Sequence, residues 1–205
     1  MKYADDEKLR LLRWLLPSLS HDETIAAELP YRDVGRKADL AILSPTRLAA
    51  IEIKGPRDKL GLLAGQVADY LEAFLEVDVA VSTRFLTTAR NTLPSTVGLI
   101  ELAEDRITRR RRAGVRRRLS SAGALHWLRA KDLQSLIPEA KAKSWDIQTL
   151  RRYAVEHLKP EDLSRAALRA AWQRSQDRYA AFQFERSERL TLDDVAVLQS
   201  PTRVR

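Results

Sequence analysis

The sequence predicts an α/β fold: a mixed sheet covered by helices, followed by a basic helical C-terminal extension. Three observations carry this. Up to residue 102 the helical and strand periodicities follow the order α-β-β-β-α-β, with a further strand behind. From about residue 120 the periodicity is helical throughout. The charge is also split. Residues 1–102 hold 13 Lys/Arg against 15 Asp/Glu and residues 103–205 hold 23 against 13, so the net +8 arises in the second half.

The first helix is expected over 5–16, DDEKLRLLRWLL, with acids in its first turn, Leu9, Leu12, Leu15 and Leu16 on one face, and Pro17 ending it. Thr24–Leu29 reads as a strand cut off by Pro30, and residues 31–36 as a polar loop. The stretch 37–54, KADLAILSPTRLAAIEIK, is a hairpin of two short apolar runs. Residues 57–75 carry apolar side chains at 60, 63, 67, 71 and 74, a helical spacing, with Asp58 as its N-cap. Strands follow at 77–82 and 97–102, then helices at 124–137, 145–158 and 161–182, the last opened by Lys159-Pro160-Glu161-Asp162. The expected division is a first domain over 1–119, a helical basic extension over 120–185 and a polar tail over 186–205.

Composition narrows the chemistry. With 205 residues, 44% apolar and 31% charged, the chain is long enough for a full core. It contains no cysteine, which removes disulfides, thiol nucleophiles and thiolate zinc sites. His21, His126 and His157 are far apart and form no His-x-x-x-His pair. No stretch approaches the eighteen apolar residues of a membrane span, and the start, MKYADDEK, lacks the apolar core of a signal peptide. A cytoplasmic protein without a membrane partner is expected; no feature calls for a homo-oligomer.

The hairpin carries charge where a strand should pack hydrocarbon. By strand alternation Asp39 shares a face with Lys37, Ala41 and Leu43, and Glu52 with Leu48, Ala50 and Lys54. A four-residue loop at Ser44–Arg47 sets Leu43 opposite Leu48, Ala41 opposite Ala50 and Asp39 opposite Glu52. Opposed residues have Cβ atoms about 4.5–5.5 Å apart, and like charges there are destabilising. A hard divalent cation reverses that sign by taking both carboxylates as ligands. The bland alternative is an edge hairpin with its polar face in water.

Asp39, twelve intervening residues and then Glu52-Ile53-Lys54 resemble the PD-(D/E)XK nuclease superfamily, with Ala38 in place of the usual proline. Gln66 and Tyr70 look like the Gln-x-x-x-Tyr element of its exonuclease-like branches. ELP…KADLAIL…EIKGPRDKLGLLAGQVADY further resembles an uncharacterised bacterial and phage family of nuclease-like proteins. The resemblance covers roughly residues 25–102. It implies a restriction-endonuclease-like core and Mg²⁺- or Mn²⁺-dependent hydrolysis of DNA phosphodiesters. Asp39 and Glu52 would hold the metal, and Lys54 would sit beside the attacking water. An upstream acid, Glu28 in preference to Glu7, would add a ligand. Gln66 either reaches the lysine, water or a phosphate oxygen, or makes a backbone contact at the helix border. Tyr70 is read as core.

Arg109, Arg110, Arg111, Arg112, Arg116, Arg117 and Arg118 place seven arginines in the eleven residues after Thr108. With Arg57, they are expected to contact a nucleic-acid backbone without reading sequence. Two other readings stand beside the nuclease. One is a nuclease fold that binds nucleic acid or a partner without cleaving. The other is an RNA- or membrane-surface protein driven by the arginines alone, which leaves the hairpin acids unexplained.

Overall fold

Helix α1 (Lys2–Leu15) begins with Asp5 in its first turn and ends with Arg13 in its last, both complementing the helix dipole. The computed structural model describes residues 2–31, 35–138 and 140–199. Lys8, Leu11, Leu12 and Leu15 form the buried stripe of α1. A 3₁₀ turn, Leu16–Ser18, with Pro17 inside it, stops the helix.

Strands β1 (Thr24–Tyr31), β2 (Arg36–Leu43) and β3 (Leu48–Lys54) follow as an antiparallel meander. β1 runs through Pro30, and it is an edge strand, where proline is tolerated. The centre of the loop expected at 31–36, residues 32–34, lies outside the described residues. The hairpin has the expected register, Leu43 with Leu48 and Ala41 with Ala50. Its turn is tied by Ser44, whose N–H donates to Arg47 O at 2.9 Å while its hydroxyl accepts from Thr46 N and Arg47 N.

Helix α2 (Leu63–Ala73) carries the chain to β4 (Glu76–Ser82), parallel to β3. The helix begins six residues later than expected. Residues 55–62 form a loop in which Asp58 accepts the Gly55 N–H at 2.7 Å, so Asp58 caps a turn and not α2. A short α3 (Leu86–Thr92) leads to β5 (Gly98–Leu102), parallel to β4. An additional strand, β6 (Ile107–Arg111), pairs antiparallel with β5. The six strands lie side by side in chain order, a mixed sheet.

The helical half supplies α4 (Ser121–Leu125), α5 (Ala130–Leu136), α6 (Ile147–His157), α7 (Pro160–Glu185) and α8 (Leu192–Val197). The helix expected at 124–137 is two helices. Ser120 caps α4 through Gly123 N, and a Cβ at Gly123 would stand 2.3 Å from Glu72 O. Glycine is what lets α4 approach the end of α2 this closely.

The sheet has a core on each face. On one, α2 and residues of α4–α7 such as Ala124, Leu133, Leu150, Leu163 and Ala167 pack on Leu43, Leu48, Ala50, Val77, Val79 and Leu99. On the other, Leu9, Leu11, Leu12 and Leu15 of α1 cover Ile25, Ala27, Leu40, Ile42, Ile51 and Ala80. The helices expected as an extension thus share a core with the sheet. Leu190, Val195 and Leu198, in the stretch read as a polar tail, are buried against the α1 side, and Ala27 N–H donates to Leu198 O at 3.1 Å. Residues 200–205 of that tail lie outside the described residues.

Strand alternation breaks where the site lies. Glu28, in the middle of β1, has φ +48°, the left-handed region that side chains rarely adopt. Before it, Ile25 and Ala27 face the α1 core; after it, Leu29 and Tyr31 face the α2 core. β2 switches opposite it: Leu40 and Ile42 face α1, while Ala38 joins Ala41 and Leu43 on the α2 side. Asp39 therefore does not continue the alternating face of Ala41 and Leu43. The kink at Glu28 turns both strands, and Asp39 sits at the turning point.

Candidate active site

Glu52 lies on β3 facing α2 and is 2% exposed. Its carboxylate accepts from three side chains. Lys54 Nζ donates to Oε1 at 2.7 Å and Gln66 Nε2 to the same oxygen at 2.6 Å. Tyr70 donates its hydroxyl to Oε2 at 2.6 Å and lies 3.1 Å from Lys37 O. Strand spacing puts Lys54 two residues on from Glu52 along one face, and helical spacing puts Gln66 and Tyr70 one turn apart on α2. Local geometry and sheet packing together converge three donors on one carboxylate. Tyr70, read as core, packs its ring against Tyr31 and Phe74 and serves the site with its hydroxyl.

Asp39 closes the group from β2. The strand ladder ends at Leu40 and Ile51, and beyond it Asp39 Oδ2 accepts Ile53 N–H at 2.8 Å. A side chain thus takes over from the main chain and keeps Asp39 beside the end of β3. Burial pushes the Asp39 carboxyl up to about 7 and the charge of Glu52 adds to this; the Ile53 N–H and the charge of Lys8 pull it back. Tyr70 is held well above the ordinary phenol value by burial and then by Glu52 and Asp39.

Helix α1 delivers two more groups. Glu7 lies against Gly55, its Cγ 3.4 Å from where a Cβ would stand, and pairs with Arg10 at 2.8 Å. Lys8 donates to Glu28 Oε1. Sequence reasoning passed over Lys8. The available signal was a lysine at i, i+3, i+4, i+7 with Leu11, Leu12 and Leu15, a charge in a leucine stripe.

The donors suit a hard cation. They are oxygens, and Gln66 Oε1 is buried with no hydrogen-bond partner among the described residues. Two carboxylates beside water and substrate oxygens is the pattern Mg²⁺ and Mn²⁺ use. Among the described residues no three His, Cys, Asp or Glu side chains converge in a metal-sized group. The expected third ligand, Glu28, is instead paired with Lys8, because the kink of β1 turns it toward α1.

Five of the seven arginines of the run bond to other groups of the protein, although none of the seven is buried. Arg109 donates to buried Asp78 at 2.7 Å, Arg110 to Glu101 at 2.7 Å and Arg111 to Val97 O at 2.7 Å. Arg116 bonds Phe74 O, and Arg118 pairs with Glu161. β6 lies beside β5, so Arg109 and Arg110 reach the buried acids Asp78 on β4 and Glu101 on β5, which need cations. Arg112 and Arg117 are exposed and make no ion pair among the described residues. Arg117 and Arg118 line a cavity of about 690 Å³ with Arg165, Thr46 and Ser164, at the turn end of the hairpin. Arg57 is exposed in the loop after Lys54.

Over residues 2–199 the chain matches the family described as bacteriophage P4 protein cII. The chain belongs to that family. Protein cII of Enterobacteria phage P4 is 33% identical over 95 residues, which are 46% of this chain and 36% of that protein, so the match spans little more than a third of the relative. A protein of unknown function from Silicibacter pomeroyi is similar in structure, with a TM-score of 0.41 and 21% identity over 77% of this chain and 87% of that one. No helix among the described residues of this family member is long and apolar enough to cross a membrane.

Proposed function

We propose that the chain is a divalent-cation-dependent nuclease hydrolysing DNA phosphodiesters on a restriction-endonuclease-like core, as its PD-(D/E)XK resemblance implies. The observation that supports this most is the convergence of Lys54, Gln66 and Tyr70 on Glu52, with Asp39 alongside. A fold needing only stability has no use for a buried and a half-buried carboxylate on neighbouring strands.

Asp39 and Glu52 would hold Mg²⁺ or Mn²⁺, which when bound polarises the scissile phosphate and lowers the pKa of a water. The protein's own groups do the rest. Lys54, anchored on Glu52, presents an ammonium beside the phosphate, orients the attacking water and offsets charge building on the phosphorane. Tyr70 fixes the Glu52 rotamer through Oε2. Gln66 keeps its Oε1 as a free acceptor at the site. Arg57, in the loop that follows Lys54, reaches a neighbouring phosphate.

The test is incubation of single- and double-stranded DNA with Mg²⁺ or Mn²⁺, wild type beside Lys54→Ala. Metal-dependent cleavage is expected from the wild type only, with DNA binding kept by both. Equal cleavage by both proteins would mark a contaminant and sink the reading.

A non-cleaving binding module is the second reading. It draws on the same carboxylate: Glu52 already accepts three hydrogen bonds from the protein, which a cation must rearrange. Binding of DNA without cleavage of any substrate would establish it.

A further inference from the structure

The acidic end of the sheet holds a cation of its own. Lys8 projects from α1 into the protein and is 4% exposed, at a stripe position where α1 otherwise uses leucine. Burying an ammonium is costly unless it is paired. Its hydrogen-bond partner is Glu28, and its charge also acts on Asp39. Glu28 and Asp39 lie on neighbouring strands, each between the ladder pairs Ala27–Leu40 and Leu29–Ala38. It is held there in a left-handed backbone conformation that side chains adopt only under constraint. Glu52 is neutralised separately by Lys54. Lys8 pairs with Glu28 and Lys54 with Glu52, while Asp39 makes no ion pair with a lysine among the described residues.

We propose that Lys8 is the resident counter-cation of this site, holding Glu28 and offsetting Asp39, and that it opposes the entry of a divalent cation there. The inference rests on the proposed function in one respect, that a divalent cation binds at Asp39 and Glu52; it does not require cleavage. Lys8 acts through Glu28 and Asp39 and is a positioning residue. An ammonium beside the ligands repels a second cation and ties up a carboxylate that would otherwise be free to turn toward it. Removing the charge should therefore strengthen cation binding, whereas a merely structural lysine would leave it unchanged or weaken it.

The experiment titrates Mn²⁺ into the full chain without nucleic acid, by calorimetry and by thermal melting in parallel. Lys8→Met is expected to melt lower than wild type without metal, to bind Mn²⁺ about tenfold more tightly, and to gain more in melting temperature on its addition. Glu28→Gln placed on Lys8→Met should return part of that affinity. If Lys8→Met does not fold, Lys8→Gln, which keeps a hydrogen bond to Glu28, makes the same measurement. Mn²⁺ affinity in the neutral variant equal to or below wild type overturns the inference, as does the absence of Mn²⁺ uptake by both proteins. Mn²⁺ uptake with the expected gain but no cleavage of DNA would overturn only the nuclease reading.

Discussion

Tyr70 donates its hydroxyl to Glu52 Oε2 over 2.6 Å, joining α2 to β3 across the core. The contact explains how a buried carboxylate keeps one orientation. Tyr70→Phe keeps the ring between Tyr31 and Phe74 and deletes only the donor. Losing a hydrogen bond to a buried charged acceptor costs about 1–3 kcal/mol. The expected outcome is a lower urea midpoint with an unchanged slope, and cleavage reduced about tenfold as Glu52 loses its fixed rotamer. A midpoint identical to wild type would show that the hydroxyl does not bear on Glu52.

Asp39 gives the site a pH signature. Its carboxyl is raised to about 7 in the folded chain, from 3.8, by burial and by Glu52. Between these values the folded state binds more protons than the unfolded one, so stability falls as pH rises from about 4 to about 7 and is level above. Asp39→Asn keeps an acceptor for Ile53 N–H and has nothing to ionise. In the presence of chelator, the variant should match wild type near pH 4 and melt several degrees higher at pH 8. A difference in melting temperature that does not change with pH would contradict this.

What could be read from the sequence follows from which forces are local. The hairpin register was legible because a four-residue loop and the pairs Leu43–Leu48 and Ala41–Ala50 leave one arrangement that keeps apolar side chains together. Gln66 and Tyr70 were legible because helical spacing alone puts them on one face. β6 was not: its sequence, ITRRR, has the composition of a solvated charge run, and its pairing with β5 and the buried acids Glu101 on β5 and Asp78 on β4 are visible only in the fold. The kink at Glu28 was equally hidden, since no glycine or asparagine marks the left-handed residue. Lys8 needed the knowledge of what α1 packs against.

Gly98 shows how closely the sheet fits around one of those acids. A Cβ at this position would stand 1.8 Å from Asp78 Oδ1 and 2.8 Å from Ala113 N. Gly98→Ala must push aside both a buried carboxylate and main chain, which overpacking estimates put at about 3 kcal/mol or more. The expected result is a melting temperature lowered by roughly 6–12 °C, or no soluble protein. Adding Asp78→Ala should recover only part of the loss, because the contact with Ala113 N remains. Full recovery would mean that the backbone gives way freely.

The arginines of the basic run should separate into two kinds by measurement. Arg109 neutralises Asp78, which is 2% exposed and which burial already pushes up. Arg109→Ala leaves that acid without its partner, a change that costs about 3–5 kcal/mol for a buried pair. Arg112 and Arg117 are exposed and make no ion pair among the described residues, so replacing both by alanine should leave the melting temperature unchanged. If these two meet the phosphate backbone, the double variant should bind DNA more weakly on every sequence. The slope of log affinity against log salt should then shrink by about 2, one for each lost phosphate contact. Titration of a labelled duplex at several NaCl concentrations reads this directly. An unchanged slope would remove Arg112 and Arg117 from the interface. A collapse of the melting temperature in the double variant would instead give them the structural role of Arg109.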